Sequence, residues 1–167
     1  MAKPIYTLGL SKIEVGDIAE DGDMGTNLAA LGYTAEDSCT FEQDDPSDTE
    51  FYAEEVDDPV VIISKNGKIN MGFDIMNPSL EVLKDLFGGT IDTAAGTWSA
   101  PDKILSIEKS VKITPDQGFI YKIPRMKLTP KIVGGFSKTG MGKITIKGVV
   151  LQPSKANVSK LTFEEKK

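Results

Sequence analysis

The chain has 167 residues, a formal net charge of −6, one cysteine and no histidine. That length suits a single domain with a real core. The missing histidine removes the usual base of a nucleophilic triad, the commonest metal ligand and the neutral-pH switch, and Cys39 alone supports neither an internal disulfide nor a cysteine-rich zinc site.

No apolar run reaches signal or membrane-spanning length, so the sequence predicts a soluble protein made in a cytoplasm. The charge is unevenly spread. Residues 1 to 60 carry 16 acidic side chains against 2 lysines, whereas residues 61 to 167 carry 9 against 17 basic ones. Solvation accounts for single charges. A separation on this scale suits a molecule whose one end meets the opposite end of its neighbour, in a head-to-tail contact that closes into rings or continues as stacks.

Pro4 to Ile18 reads as a strand, with Tyr6, Leu8 and Leu10 on one face, Ile13 and Val15 on the other, and a bulge near Ser11 where the phase changes. Asp17 to Thr34 is a long Gly- and acid-rich connection, of a length that is usually functional or disordered. Asp21 and Asp23 do not amount to a calcium loop, because the twelve-residue pattern with its closing Glu is absent. Ser38 to Phe41, with Cys39 as an ordinary buried or half-buried residue or, as the lesser alternative, half of an intermolecular disulfide, and Thr49 to Glu55 read as strands around the acidic turn Glu42 to Asp48. Asp44 and Asp45 are adjacent in that turn and so do not converge on a cleft as a glycosidase pair would. Beside them Glu50, Glu54, Glu55, Asp57 and Asp58 crowd together, which costs stability unless water or a basic partner offsets it.

Pro59 to Ser64 and Lys68 to Ile75 flank Asn66-Gly67, the pair that favours a tight turn, and the spacing predicts a hairpin there. Its second strand alternates, with Ile69, Met71, Phe73 and Ile75 on a buried face. Its first does not. Val60, Val61, Ile62 and Ile63 are consecutive and call for cover on both faces, from the rest of the domain or from another subunit. A short helix over about residues 78–87 follows, capped by Asn77, opened by Pro78 and ended by Gly88 or Gly89. Its stripe of Leu80, Leu83, Leu86 and Phe87 must pack on a sheet, since so short a helix is unstable alone.

Thr90 to Pro101 is turn-rich and holds Trp98, read as core or interface packing. In Ser106 to Ile113 the residues Ile107, Val111 and Ile113 point inward, and Ser106, Glu108, Ser110 and Lys112 outward. Phe119, Tyr121 and Ile123 continue to Pro124, which marks an edge or a bulge, and Met126 and Leu128 take the opposite phase. Gly135 and Gly140 have the separation of a phosphate loop, but Met141 and Gly142 stand where Lys and Ser or Thr would be needed, so Lys131 to Gly142 reads as a Gly-rich connection. Lys143 to Leu151 is the last strong strand. The charged tail 152–167 is expected to be mobile unless it docks on a neighbour.

The sum is one mainly β domain over residues 1–167, a β-barrel or two-sheet sandwich with one short flanking helix, without a catalytic constellation, cofactor site or metal site. The order Phe41-Glu-Gln-Asp-Asp-Pro-Ser-Asp-Thr-Glu-Phe-Tyr-Ala-Glu-Glu55, Asn66-Gly67 and Asn77-Pro-Ser-Leu-Glu-Val-Leu-Lys-Asp-Leu-Phe-Gly-Gly89 resembles the major tail (tail tube) proteins of tailed bacteriophages. The resemblance implies a compact β domain that forms hexameric rings, stacks them into a hollow tube in the virion tail and passes DNA. The related tubes of type VI secretion and contractile injection systems pass proteins instead. In both, an N-terminal segment and long loops reach the next ring. With the charge split, this makes Asp17, Asp21, Asp23, Asp44, Asp45 and Asp48 the candidate stacking residues, and Lys122, Arg125, Lys127 and Lys131 the candidate receiving surface. Overall acidity suits a lumen that must not hold phosphates, and argues against a sequence-reading DNA-binding protein. Two other classes compete. A ligand-binding β-barrel needs convergent aromatics, of which only 12 occur, spread along the chain. A carboxylate-only enzyme has no motif behind it.

Overall fold

The computed structural model describes residues 3–103 and 105–167. In chain order its elements are β1 (Lys12–Gly16), β2 (Ala29–Ala30), β3 (Thr40–Gln43), β4 (Ser47–Ala53), β5 (Val56–Lys65), β6 (Ile69–Ile75), α1 (Leu80–Phe87), β7 (Thr90–Asp92), β8 (Thr97–Ser99), β9 (Ile107–Thr114), β10 (Phe119–Val133), β11 (Lys143–Val150) and β12 (Thr162–Glu165). The protein is mainly β with one short helix. Eight strands form a single antiparallel sheet in the order β2-β1-β9-β10-β11-β6-β3, with β12 also paired to β10. The end strands β2 and β3 do not pair, so the sheet is not a closed barrel.

Alternation decides which face of each strand is buried. In β6, Ile69, Met71, Phe73 and Ile75 turn inward, as their spacing of two requires. Met71, Phe73 and Ile75 meet Ile13 and Val15 of β1, Val111 and Ile113 of β9, Ile123, Met126 and Leu128 of β10, and Ile144 and Ile146 of β11. Residues from strands that are not neighbours thus share one core, so the sheet curls over itself as the layers of a sandwich do. The segment after β2 helps to hold the curl, because Ala35 N donates to Asp74 O (2.9 Å) and Met76 N to Tyr33 O (2.9 Å) at the end of β6.

The Asn66-Gly67 hairpin does not form. Strand β5 pairs with β4 in a separate two-stranded sheet, while β6 pairs with β3 and β11. Asn66-Gly67 is instead the crossing from one sheet to the other. Asp44 N donates to Lys68 O (2.8 Å) there, and a Cβ on Gly67 would run into the Asp44 carbonyl. The glycine therefore serves a close backbone approach and not a positive φ. Gly67→Ala should cost about 1–3 kcal/mol in urea unfolding; a change within about 0.5 kcal/mol, the range of neutral surface substitutions, would show that the crossing relaxes freely.

The helix begins two residues later than its proline suggests. Ser79, not Asn77, is the N-cap, its Oγ accepting from Val82 N (3.2 Å), while Asn77 Oδ1 accepts from Tyr33 N (2.6 Å). Gly88 ends the helix at φ 78°, a backbone region that side chains avoid. Leu86 is buried, and Trp98 packs tilted against Phe87 and donates from Nε1 to Gly88 O (2.9 Å), which joins β7 and β8 to the helix end.

Three further expectations change. The strand predicted from Pro4 starts only at Lys12, and Tyr6 and Leu8 are exposed. At Pro124 and Arg125, by contrast, the bulge that the proline suggested is present, and it absorbs the change of phase so that Ile123 and Met126 reach the same core. Ser110, expected outward, is fully buried: its Oγ donates to Pro124 O (2.7 Å) at the bulge and accepts from Gly25 N (2.9 Å). The tail docks on its own chain. β12 pairs with the start of β10, and Phe163 stacks on Tyr121 at 4.4 Å.

Candidate assembly interface

The β4–β5 hairpin turns through Glu54 and Glu55 between the paired Ala53 and Val56. Its register sets Thr49 opposite Ile63 and Phe51 opposite Val61, so these share one face, and Glu50 opposite Ile62 on the other. Val60 to Ile63 are β-branched throughout, which favours an extended strand but loads both faces with apolar groups. Among the described residues no second layer meets either face. Val60, Val61, Ile62 and Ile63 are 51–57 % exposed, and Phe51, Tyr52 and Val56 are exposed with them. Around these groups runs an acidic rim of Glu50, Glu54, Glu55, Asp57 and Asp58, none of which is ion-paired among the described residues. Tyr52 donates to Glu50, and Ser64 Oγ to Asp48 Oδ1.

The other acidic candidates are placed differently. Asp17 is paired with Lys109, and Asp21 and Asp23 together hold Lys155 at 2.7 and 2.9 Å. With Gly25 bonded to Ser110, the 17–34 loop is bound to its own sheet and does not project as a free arm. Asp44 Oδ1 accepts from Asn70 Nδ2 (2.9 Å), and Asp45 is exposed. The Lys155 ammonium holds both Asp21 and Asp23 below the usual carboxylate range. Depressed folded-state values make their contribution present above the ordinary carboxylate pKa and lost as pH falls through the lowered ones. Protection across residues 18–25, the exchange rate relative to the intrinsic rate at the same pH, should therefore fall on acidification, and at neutral pH in Lys155→Ala. Protection unaffected by both changes would show that other contacts hold the loop.

Of the basic candidates, Lys122 is paired with Glu164 of β12. Arg125 grips Glu108 through Nε (2.8 Å) and Nη2 (3.1 Å) and donates from Nη1 to Gln152 O (3.1 Å), which keeps the Glu108 carboxyl below its usual range. Lys127 and Lys131 are exposed and free of ion pairs among the described residues. They lie together on the outward face of the β10–β11 ladder with Lys147, opposite Val149, Thr145 and Thr129 respectively. Sequence reasoning missed Lys147, and it missed the apolar end of this ladder, where Ile132, Phe136 and Met141 are exposed, Phe136 at 99 %. The available signal was a bulky apolar residue amid Gly134, Gly135, Gly140 and Gly142, where nothing local can bury it.

Two further features bear on other chemistries. A cavity of about 530 Å³ is lined by Leu10, Cys39, Phe41, Ile113, Phe119 and Tyr121 among others, and burial pushes the Cys39 thiol up. No group of three or more His, Cys, Asp or Glu that could hold a metal occurs among the described residues. No helix there is long and apolar enough to cross a membrane. Neither a protein-family model nor a curated protein matches the chain.

Proposed function

We propose that this chain is a non-enzymatic, self-assembling structural protein, the subunit of a tail tube made of stacked hexameric rings through which phage DNA passes. The observation that carries the reading is the β4–β5 hairpin, an apolar strand pair with neither face covered by its own domain. Contiguous exposed apolar surface of this kind marks an interaction site. The charge split gives the contact a direction, and the resemblance of residues 41–89 to tail tube proteins gives it a context. The hairpin, and not the 17–34 loop, takes the part of the reaching element. A tube of a secretion or injection system would share the assembly and differ in its cargo.

Negative-stain electron microscopy with light-scattering mass, across protein concentration and salt, tests this. Rings or hollow tubes are expected. A compact monomer under all conditions that binds a small apolar ligand in the cavity beside Cys39 would replace the reading with a ligand-binding module.

A further inference from the structure

We propose that the surface receiving the β4–β5 hairpin is the free end of the β10–β11 hairpin of a second copy of this chain, an inference that rests on the self-assembly reading and names its contact. The two hairpins match in kind. Each presents apolar side chains its own domain leaves uncovered, Val60 to Ile63 with Phe51 on one, and Ile132, Phe136 and Met141 on the other. They are opposite in charge. Glu50, Glu54, Glu55, Asp57 and Asp58 accompany the first without an ion pair, whereas Lys131, Lys138 and Lys147 are exposed on the second without one among the described residues, and Lys127, exposed beside them, stands opposite a Glu108 already held by Arg125.

The remaining cations of this region are already engaged: Lys122 on Glu164, Arg125 on Glu108, Lys143 on Asp74. Of those left over, Lys131 and Lys138 lie toward the turn that exposes Ile132, Phe136 and Met141, and Lys147 and Lys127 follow further along the same hairpin. Among the other exposed apolar groups, charge decides against Tyr33, which stands beside Glu36 and Asp37 in sequence and would repel an acidic hairpin. The contact is heterologous, since the donor and acceptor are different surfaces, and it therefore propagates from copy to copy.

Charge reversal tests the pairing. One variant carries Glu54→Lys, Glu55→Lys and Asp57→Lys; the other carries Lys131→Glu, Lys138→Glu and Lys147→Glu. All six sites are exposed, and an unchanged urea midpoint confirms folding. Each variant alone should need about tenfold more protein to self-associate, as seen by light scattering, because like charges now face each other. An equimolar mixture should recover assembly, since the reversed hairpin of one then meets the reversed ladder of the other. If the first variant weakens assembly and the second does not, or if mixing restores nothing, the acceptor is wrong while self-assembly stands. If the unaltered protein never associates, the self-assembly reading falls and the acceptor with it. As a second readout in a Cys39→Ala background, chains with Ile62→Cys should form disulfides with chains carrying Phe136→Cys; cross-links between Ile62→Cys chains alone would overturn the pairing.

Discussion

A chain in which Val60, Val61, Ile62 and Ile63 are all replaced by threonine should fold as well as the unaltered protein and self-associate far more weakly. The argument is one of remaining surface. Each of the four side chains still has about half of its area in water, and full burial of such a side chain contributes roughly 1.5–3 kcal/mol. Covering the rest would therefore supply about 3–6 kcal/mol per hairpin, before the cost of association. Threonine keeps the β-branch and hence the strand, but it removes most of that gain. At about 1.4 kcal/mol per decade, the self-association constant should fall by roughly a hundredfold or more. Sedimentation velocity measures this, and urea unfolding of the monomer supplies the control. Unchanged association would mean that the apolar hairpin is not the contact.

Ile146→Ala has the opposite signature. Ile146 is fully buried in β11, opposite Pro130 of β10 and Phe73 of β6, where the curled sheet meets its own inner face. Deleting its side chain leaves a cavity that rigid strands on either side cannot close, at a cost of about 2–5 kcal/mol. That is a large part of the roughly 5–15 kcal/mol that holds a domain together. Ile62→Ala removes the same atoms from a half-exposed place and should cost the monomer within about 1 kcal/mol. Thermal unfolding of the two variants side by side checks the contrast. Similar losses would show that the hairpin is covered by its own domain after all.

The body of the fold was legible because alternation survives wherever one face is buried. β6, β9 and β11 could be placed from Ile69-Met71-Phe73-Ile75, from Ile107, Val111 and Ile113, and from the run after Lys143. Pairing was not legible. Asn66-Gly67 carries a strong turn signal, yet the same glycine is also required where the Asp44 backbone passes, and local sequence does not separate the two uses. Ser110 reads as a surface residue from its phase, and only the distant Gly25 and Pro124 make it interior. For the candidate interface, the apolar run Val60 to Ile63 was readable, but not that its own domain leaves both of its faces open. Asp21 and Asp23 look as free as Asp57 and Asp58 until Lys155, more than a hundred positions later, is seen between them. On the basic side, Lys127 could be singled out, but nothing in the neighbouring letters shows that Arg125 is already occupied by Glu108.

The order of the strands along the chain also sets an order in time. β1 pairs with β9, so Lys12 waits for Thr114, and β10 has its full set of neighbours only when Thr162 to Glu165 have been made. The β4–β5 hairpin closes within Ser47 to Lys65 and needs nothing downstream. Local pairs form in microseconds, whereas such distant ones are slow and come last. During synthesis this hairpin therefore has all its pairing partners while the body it belongs to is still open. On the proposed pairing, the acidic side chains of the hairpin would then have a second use, because the hairpins of neighbouring nascent chains repel one another before the lysine-bearing strands have been translated.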